Sequence, residues 1–278
     1  GLRLRRNRDD TLGHSAGSST RAASTTSKVT SWGSTGWLQQ EHGRNYLIVE
    51  PHSLPAAFLS HKNIRRAPSP ESAADELQTA QTVVLAVKPQ IIRDVCAQLA
   101  PCLPESALII SIAAGTTLHA LEQVLGGARP IIRAMPNTPA AIGKGISVLT
   151  ANRHVTPAQK ESASFLLKPA GQVTWIDDEK LMDAVTALSG SGPAYIFHLI
   201  EILSEAGKSI GLPAALAQTL ARQTVIGSAA LADKRSDIDA ATLRQQVTSP
   251  GGTTAAALDV LMNGKLQEIY NAALAAAK

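Results

Sequence analysis

The stretch Val83-Val84-Leu85-Ala86-Val87 is unbroken apolar chain, closed abruptly by Lys88-Pro89. A strand wet on one side alternates apolar and polar residues. One that does not alternate is covered on both faces, as happens when helices pack on either side of a parallel sheet. The same form recurs at Ala107–Ile112 and Pro130–Met135, with Tyr46–Val49, Ile146–Thr150 and Gln172–Ile176 as further strands. Helical spacing fills the intervals over 73–79, 91–99, 118–124 and 157–167, and a turn or weak helix is expected after Pro51. Strand alternating with helix predicts a Rossmann-like, doubly wound parallel sheet over residues 36–176. Ligands of such sheets lie beyond the carboxyl ends of the strands. That rule singles out Glu50, Lys88-Pro89, Ala113-Ala114-Gly115 and Met135-Pro136-Asn137-Thr138. In a dinucleotide fold Glu50 could accept a hydrogen bond from a ribose 2′-OH, which leans to NADH. Its plainer reading is a solvated strand-end carboxylate.

After Ile176 strand signals stop. Segments 179–188, 195–207, 213–232, 240–247, 254–263 and 266–277 all read as helices, broken by Ser189-Gly190-Ser191-Gly192-Pro193 and Gly211-Leu212-Pro213. Residues 177–278 are therefore expected to form an all-helical domain. Its helices are apolar over more than one face, which predicts burial against a partner chain.

Within this domain, Val247-Thr248-Ser249-Pro250-Gly251-Gly252-Thr253-Thr254 precedes an alanine-rich run. Ser249 or Thr253 is expected to cap the helix that follows. The glycines let the backbone approach a ligand closely, and the N–H groups at the helix start form a seat for an anion such as a small carboxylate. The plainer reading is a capped turn between two helices.

Composition narrows the functional classes. Aromatic residues are 3% against 44% hydrophobic overall, so the core is built of Ala, Val, Leu and Ile. Residues 1–30 hold six basic and two acidic side chains and account for the whole net charge of +4. The remaining chain is neutral and has no basic patch interleaved with aromatics, which argues against a nucleic-acid surface. No apolar run is long enough to span a bilayer, and no secretory leader opens the chain. Cys96 and Cys102 lack metal-ligand spacing and read as reduced, half-buried thiols. The seven histidines form no ligand set. A soluble cytoplasmic protein without a metal is expected.

Four segments in order carry a resemblance: Val84-Leu85-Ala86-Val87-Lys88-Pro89-Gln90, Arg133-Ala134-Met135-Pro136-Asn137-Thr138-Pro139, Ala187-Leu188-Ser189-Gly190-Ser191-Gly192-Pro193-Ala194-Tyr195, and Gln246 through Thr254. From about Trp37 onward the chain resembles pyrroline-5-carboxylate reductase. The resemblance implies hydride transfer from NADPH or NADH to the imine carbon of 1-pyrroline-5-carboxylate, giving L-proline. It implies a dinucleotide-binding domain followed by a helical domain that interlocks into a homodimer, with dimers assembling further, commonly into decamers. It lays Ala86, Val87, Lys88 and Pro89 along the cofactor and brings Met135 and Asn137 toward its nicotinamide end. Ser249, Gly252, Thr253 and Thr254 would hold the substrate carboxylate, with the Thr254 hydroxyl near the ring nitrogen. Ser189 and Ser191 either cap the next helix or touch substrate.

Residues 1–35 depart from the family. Between Thr11 and Thr35, 13 of 25 residues are Ser or Thr, without apolar periodicity. The family's opening strand and its Gly-x-Gly-x-Met-Gly phosphate turn have no counterpart there. A mis-framed start, a transit segment and a disordered tail each account for the composition. Loss of that strand would leave the sheet without a central member. A catalytically impaired chain kept as an assembly partner is thus the alternative to an active reductase. A two-domain hydroxy-acid dehydrogenase would need an acid–base residue early in the helix after Pro193, and Lys208 lies too far along it.

Overall fold

The computed structural model describes residues 23–24, 46–49, 64–126 and 128–278. Eight strands form one sheet: β1 (Ala23–Ser24), β2 (Tyr46–Val49), β3 (Ile64–Ala67), β4 (Thr82–Leu85), β5 (Leu108–Ser111), β6 (Ile131–Pro136), β7 (Gly145–Ala151) and β8 (Gly171–Trp175). Their spatial order is β3-β2-β1-β4-β5-β6-β7-β8. Helices α1 (Ala74–Leu77), α2 (Ile92–Leu99), α3 (Leu118–Leu125) and α4 (Pro157–Leu167) interleave with the later strands.

The apolar runs are buried as their lack of alternation requires. Val83, Leu85, Ile109 and Ile131 enter one core with Leu77, Val95, Leu99 and Leu121 from α1, α2 and α3. Val84, Leu108, Ile110, Ile132 and Ala134 enter the opposite core with Ala163, Leu166 and Leu167 of α4. Successive residues of each strand thus serve opposite faces, which is the period of two. Each fully buried Leu or Ile contributes roughly 1.5–3 kcal/mol through apolar area removed from water.

Three features differ from the sequence reading. The sheet is not parallel throughout, because β7 runs antiparallel to β6. Residues 137–144 join them through a 3-10 turn at Thr138–Ile142, too short for a crossover helix. The second difference is β3, expected as a turn or weak helix. Arg65 and Arg66 break its apolar run, and such charge suits the sheet edge it occupies. Arg65 pairs with Glu76 of the segment preceding β4. The third difference concerns the vacancy expected at the sheet's centre: Ala23–Ser24 lies there, antiparallel to both β2 and β4. Residues 37–43, which read as the end of a helix closed by Gly43, and the carboxylate Glu50 lie outside the described residues.

Beyond β8 the chain is helical as expected: α5 (Met182–Val185), α6 (Gly192–Ser209), α7 (Ala214–Lys234), α8 (Ala240–Gln246), α9 (Thr253–Leu261) and α10 (Lys265–Ala277). The stretch 179–188 is not one helix. A 3-10 turn at Glu179–Leu181 leads into α5 and then a π-turn at Thr186–Gly190, closed by the Ser191 N–H donating to the Thr186 carbonyl at 2.9 Å. The α6–α7 hairpin packs tightly, and its seam holds Ala217 and Ala221, the buried residues of 192–278.

Candidate active site

Register places the site. In the parallel ladder Leu85 pairs with Ser111, and Ser111 with Arg133. β4 and β5 therefore stop level at Leu85 and Ser111 while β6 runs on to Pro136, and residues 86–89 and 112–115 form one shelf with residues 134–137. Val87 is buried and anchors it, while Ala86 is half-buried and Lys88 and Pro89 are exposed. Lys88 is extended, with φ −64° and ψ 144°, and Pro89 opens a 3-10 turn. Ala114 and Gly115 are exposed, and a Cβ built on Gly115 would meet no heavy atom within 4 Å. Met135 and Pro136 are half-buried at the end of β6. An open shelf beyond strand ends is where a doubly wound sheet takes its ligand. Glu50 and any phosphate turn lie outside the described residues.

The seat read from residues 247–254 takes a different local form from the one expected. Neither Ser249 nor Thr253 caps the helix. Gly252 is the N-cap of α9, with no side-chain hydrogen bond, because α9 already begins at Thr253. Gly251 has φ 67°, a left-handed conformation that glycine adopts without strain. The Gly252 N–H donates to the Ser249 carbonyl at 3.0 Å, and the Ala256 N–H to the Gly252 carbonyl at 3.2 Å. Among the described residues, no hydrogen bond satisfies the hydroxyls of Ser249, Thr253 and Thr254. The first-turn N–H groups of α9 have no intrahelical acceptor by geometry. Uncapped N–H groups, idle hydroxyls and the positive dipole end suit an anion better than a closed capping turn does.

Shelf and seat are not drawn together within this single chain. Among the described elements, α9 packs extensively against none, and none of its residues is buried.

Ser189 and Ser191 do not cap α6. Ser189 Oγ donates to the Val185 carbonyl at 3.0 Å, and Ser191, the N-cap residue, makes no side-chain cap bond. The Tyr195 hydroxyl donates to the Ala187 carbonyl at 3.0 Å and braces the π-turn from α6. Asn137 is held at both ends of its amide: Nδ2 donates to the Ser189 carbonyl at 3.2 Å, and Oδ1 accepts from the Ile146 N–H at 3.0 Å.

An ion pair beneath the shelf went unread in the sequence. Arg133 is 4% exposed and donates through Nη1 to Glu179 Oε1 at 2.9 Å. The same oxygen accepts from the Leu118 N–H at 2.8 Å, at the start of α3. A carboxylate there complements the helix dipole. The available signal was an arginine inside the apolar run Ile131–Met135, a charge that needs a partner when buried.

Cys96 is buried in the α2 face, and burial pushes its thiol up to about 12. Among the described residues no group of His, Cys, Asp and Glu is arranged to hold a metal ion. No described helix is long and apolar enough to cross a membrane.

Known proteins share this arrangement. A family model for pyrroline-5-carboxylate reductase dimerisation matches residues 179–278, and one for coenzyme F420-dependent NADP oxidoreductase matches residues 39–115. The pyrroline-5-carboxylate reductase of Pseudomonas aeruginosa is 46% identical over 207 residues, spanning 74% of this chain and 76% of that protein. Among solved structures, the pyrroline-5-carboxylate reductase of Coxiella burnetii matches with a TM-score of 0.79 at 39% identity, covering 87% of this chain and 89% of that one. The pyrroline carboxylate reductase of Plasmodium falciparum, solved with NADP bound, matches with a TM-score of 0.71 at 31% identity, covering 89% and 90%. With identity at this level over most of both chains, and with the strand-end shelf and the open helix start in place, the chain belongs to the pyrroline-5-carboxylate reductase family.

Proposed function

We propose that this chain reduces 1-pyrroline-5-carboxylate to L-proline with NADPH or NADH, the last step of proline biosynthesis. The observation that carries this reading is the uncapped start of α9. There Ser249, Thr253 and Thr254 keep their hydroxyls unspent beside free N–H groups, which suits a small carboxylate.

The shelf residues Ala86, Val87, Lys88, Pro89 and Met135 would hold the cofactor, which supplies the hydride when bound. A protonated cyclic imine already accepts hydride well, so the protein's task is chiefly alignment. Orientation alone can lower such a barrier by several kcal/mol. Ser249, Gly252 and Thr253 fix the carboxylate. In this reading the Thr254 hydroxyl, one residue further into the helix, hydrogen-bonds at the ring nitrogen.

The working unit of this reading is a homodimer joined through the helical region, which closes the seat that a single chain leaves open. Dimers assemble further into decamers. The cytoplasm is its compartment, where Cys96 and Cys102 persist as thiols.

The test is substrate-dependent oxidation of NADPH and NADH by the purified chain. Turnover is expected with at least one cofactor. Thr254→Val is expected to lower kcat by about 100-fold, as loss of a positioned proton-handling group does. No turnover from the folded protein would sink the proposal. A second reading, an assembly partner without activity, is favoured by one observation: no Gly-x-Gly turn precedes Trp37. Fluorescence titration with NADPH separates the two, since the inactive partner would not bind it.

A further inference from the structure

We infer that Asn137 is a positioning residue, the clasp that fixes the helical region against the end of β6, and not a cofactor ligand. The inference deepens the reductase reading and rests on it for the kinetic consequence only.

Arg133 and Met135 share a face of β6, and Asn137, extended at φ −123° and ψ 167° just past its end, continues the period of two. All three engage the segment that opens the helical region. Arg133 holds Glu179 at 2.9 Å. The Met135 side chain lies against Gly190, where a Cβ would come within 2.5 Å of Met135 Cε. Asn137 Nδ2 donates to the Ser189 carbonyl at 3.2 Å.

Asn137 differs from its neighbours in being bound on both sides. Its Oδ1 accepts from the Ile146 N–H at the start of β7, so the amide cannot turn without losing a donor–acceptor match. One planar group therefore ties the end of β6, the start of β7 and the π-turn Thr186–Gly190. That turn is braced from α6 by Tyr195, and α10 packs against it. A π-turn is an uncommon way to run a helix, and here bonds from Tyr195 and Asn137 hold it. Met135, which touches the π-turn at Gly190, is also the residue that the resemblance brings toward the nicotinamide end. A clasp here sets how the helical region meets the reacting edge.

The decisive variant is Asn137→Asp. It keeps the acceptor for Ile146 and replaces the donor to Ser189 with a carboxylate oxygen that repels the carbonyl. Gly190→Ala opens the same joint from the other side by displacing Met135, and it serves if the first variant does not fold. Lys144→Ala is the control: it removes an exposed ion pair to Asp233 that also spans the two regions, and exposed pairs of this kind contribute little.

Three readouts apply to the full chain: NADPH affinity by fluorescence titration, kcat, and amide hydrogen exchange across residues 186–195. For N137D the expected result is NADPH affinity within about twofold of the parent, kcat lower by about 10–100-fold as misplacement of about 1 Å produces, and faster exchange at 186–195. Acidification should restore part of the kcat ratio to the parent, because the protonated carboxyl regains a donor. Lys144→Ala should change none of the three. An NADPH affinity that falls as steeply as kcat, with exchange unchanged, would overturn the inference and make Asn137 a cofactor ligand. So would an equal kcat loss in Lys144→Ala. If the parent chain shows no turnover, the reductase reading fails, and exchange at 186–195 still decides whether the clasp exists.

Discussion

The two halves of this molecule are built from similar residues and solve burial differently. The sheet region hides Val83, Leu85, Ile109, Ile110, Ile131 and Ile132 almost completely, with helices of the same chain on both faces. The helical region hides only Ala217 and Ala221 between Gly192 and Lys278. It leaves Phe197 62%, Ile210 81%, Val260 69% and Ile269 64% exposed. So many large apolar side chains left exposed on one region mark an interaction face. The first region completes its core within one chain. The second presents half a core, in accord with its match to a dimerisation family.

The sharpest way to break this contrast is Ile269→Glu. A charge on the exposed face of α10 should abolish assembly, leaving a monomer by light scattering at micromolar protein, while β4–β6 stay protected from hydrogen exchange. Retained assembly would show that α10 does not face the partner.

A smaller effect is expected within the sheet region. Arg129 is 7% exposed, and its guanidinium donates to the carbonyls of Leu125, Pro104, Ala100 and Leu103 at 2.6–3.2 Å. It thereby closes the C-terminal ends of α2 and α3 together, where a cation is favoured. Arg129→Met leaves these four carbonyls, on buried and half-buried residues, with fewer partners. The expected loss is about 2–4 kcal/mol in urea unfolding, at the scale of hydrogen bonds to charged groups. Because the lesion lies in the self-contained region, that loss should not depend on protein concentration.

The smallest effect concerns thiol chemistry. Burial raises the Cys96 thiol to about 12, so it stays protonated and unreactive at neutral pH. Its folded value lies above the unfolded value near 8.5. The stability linked to it is therefore present below that pH and is lost as pH rises toward the folded value. At pH 8, iodoacetamide should label the half-buried Cys102 on the native protein and reach Cys96 only after unfolding. Equal labelling of both would show that the α2 face opens.

The sequence carried the two regions unequally. Strands β4, β5 and β6 were legible because burial on both faces leaves unbroken apolar runs, and the change to helix after Ile176 was equally plain. β3 was not, since Arg65 and Arg66 give an edge strand the look of a turn. The antiparallel course of β7 was implicit in the short connection after Pro136, although apolar pattern alone carries no direction. At the site, glycines and hydroxyls before an alanine run identified the start of α9 but suggested side-chain caps that do not form, because the N-cap position falls on Gly252. The π-turn had no signal, because a single wide turn has no period. Asn137 was visible as a strand-end polar residue, while its second partner, Ser189, lies 52 positions away.

The reversal of β7 decides where the chain leaves the sheet. β8 runs parallel to β7, and so antiparallel to β6, and ends at the margin opposite the shelf. The chain must therefore travel back along β6 before any helix can overlook the shelf. It does so between Glu179, beside Arg133, and Gly190, beside Met135. Had β7 followed the direction of β6, β8 would end at the shelf itself and that return path would have nothing to cross. One change of strand direction thus lays the route by which the helical region reaches the candidate site.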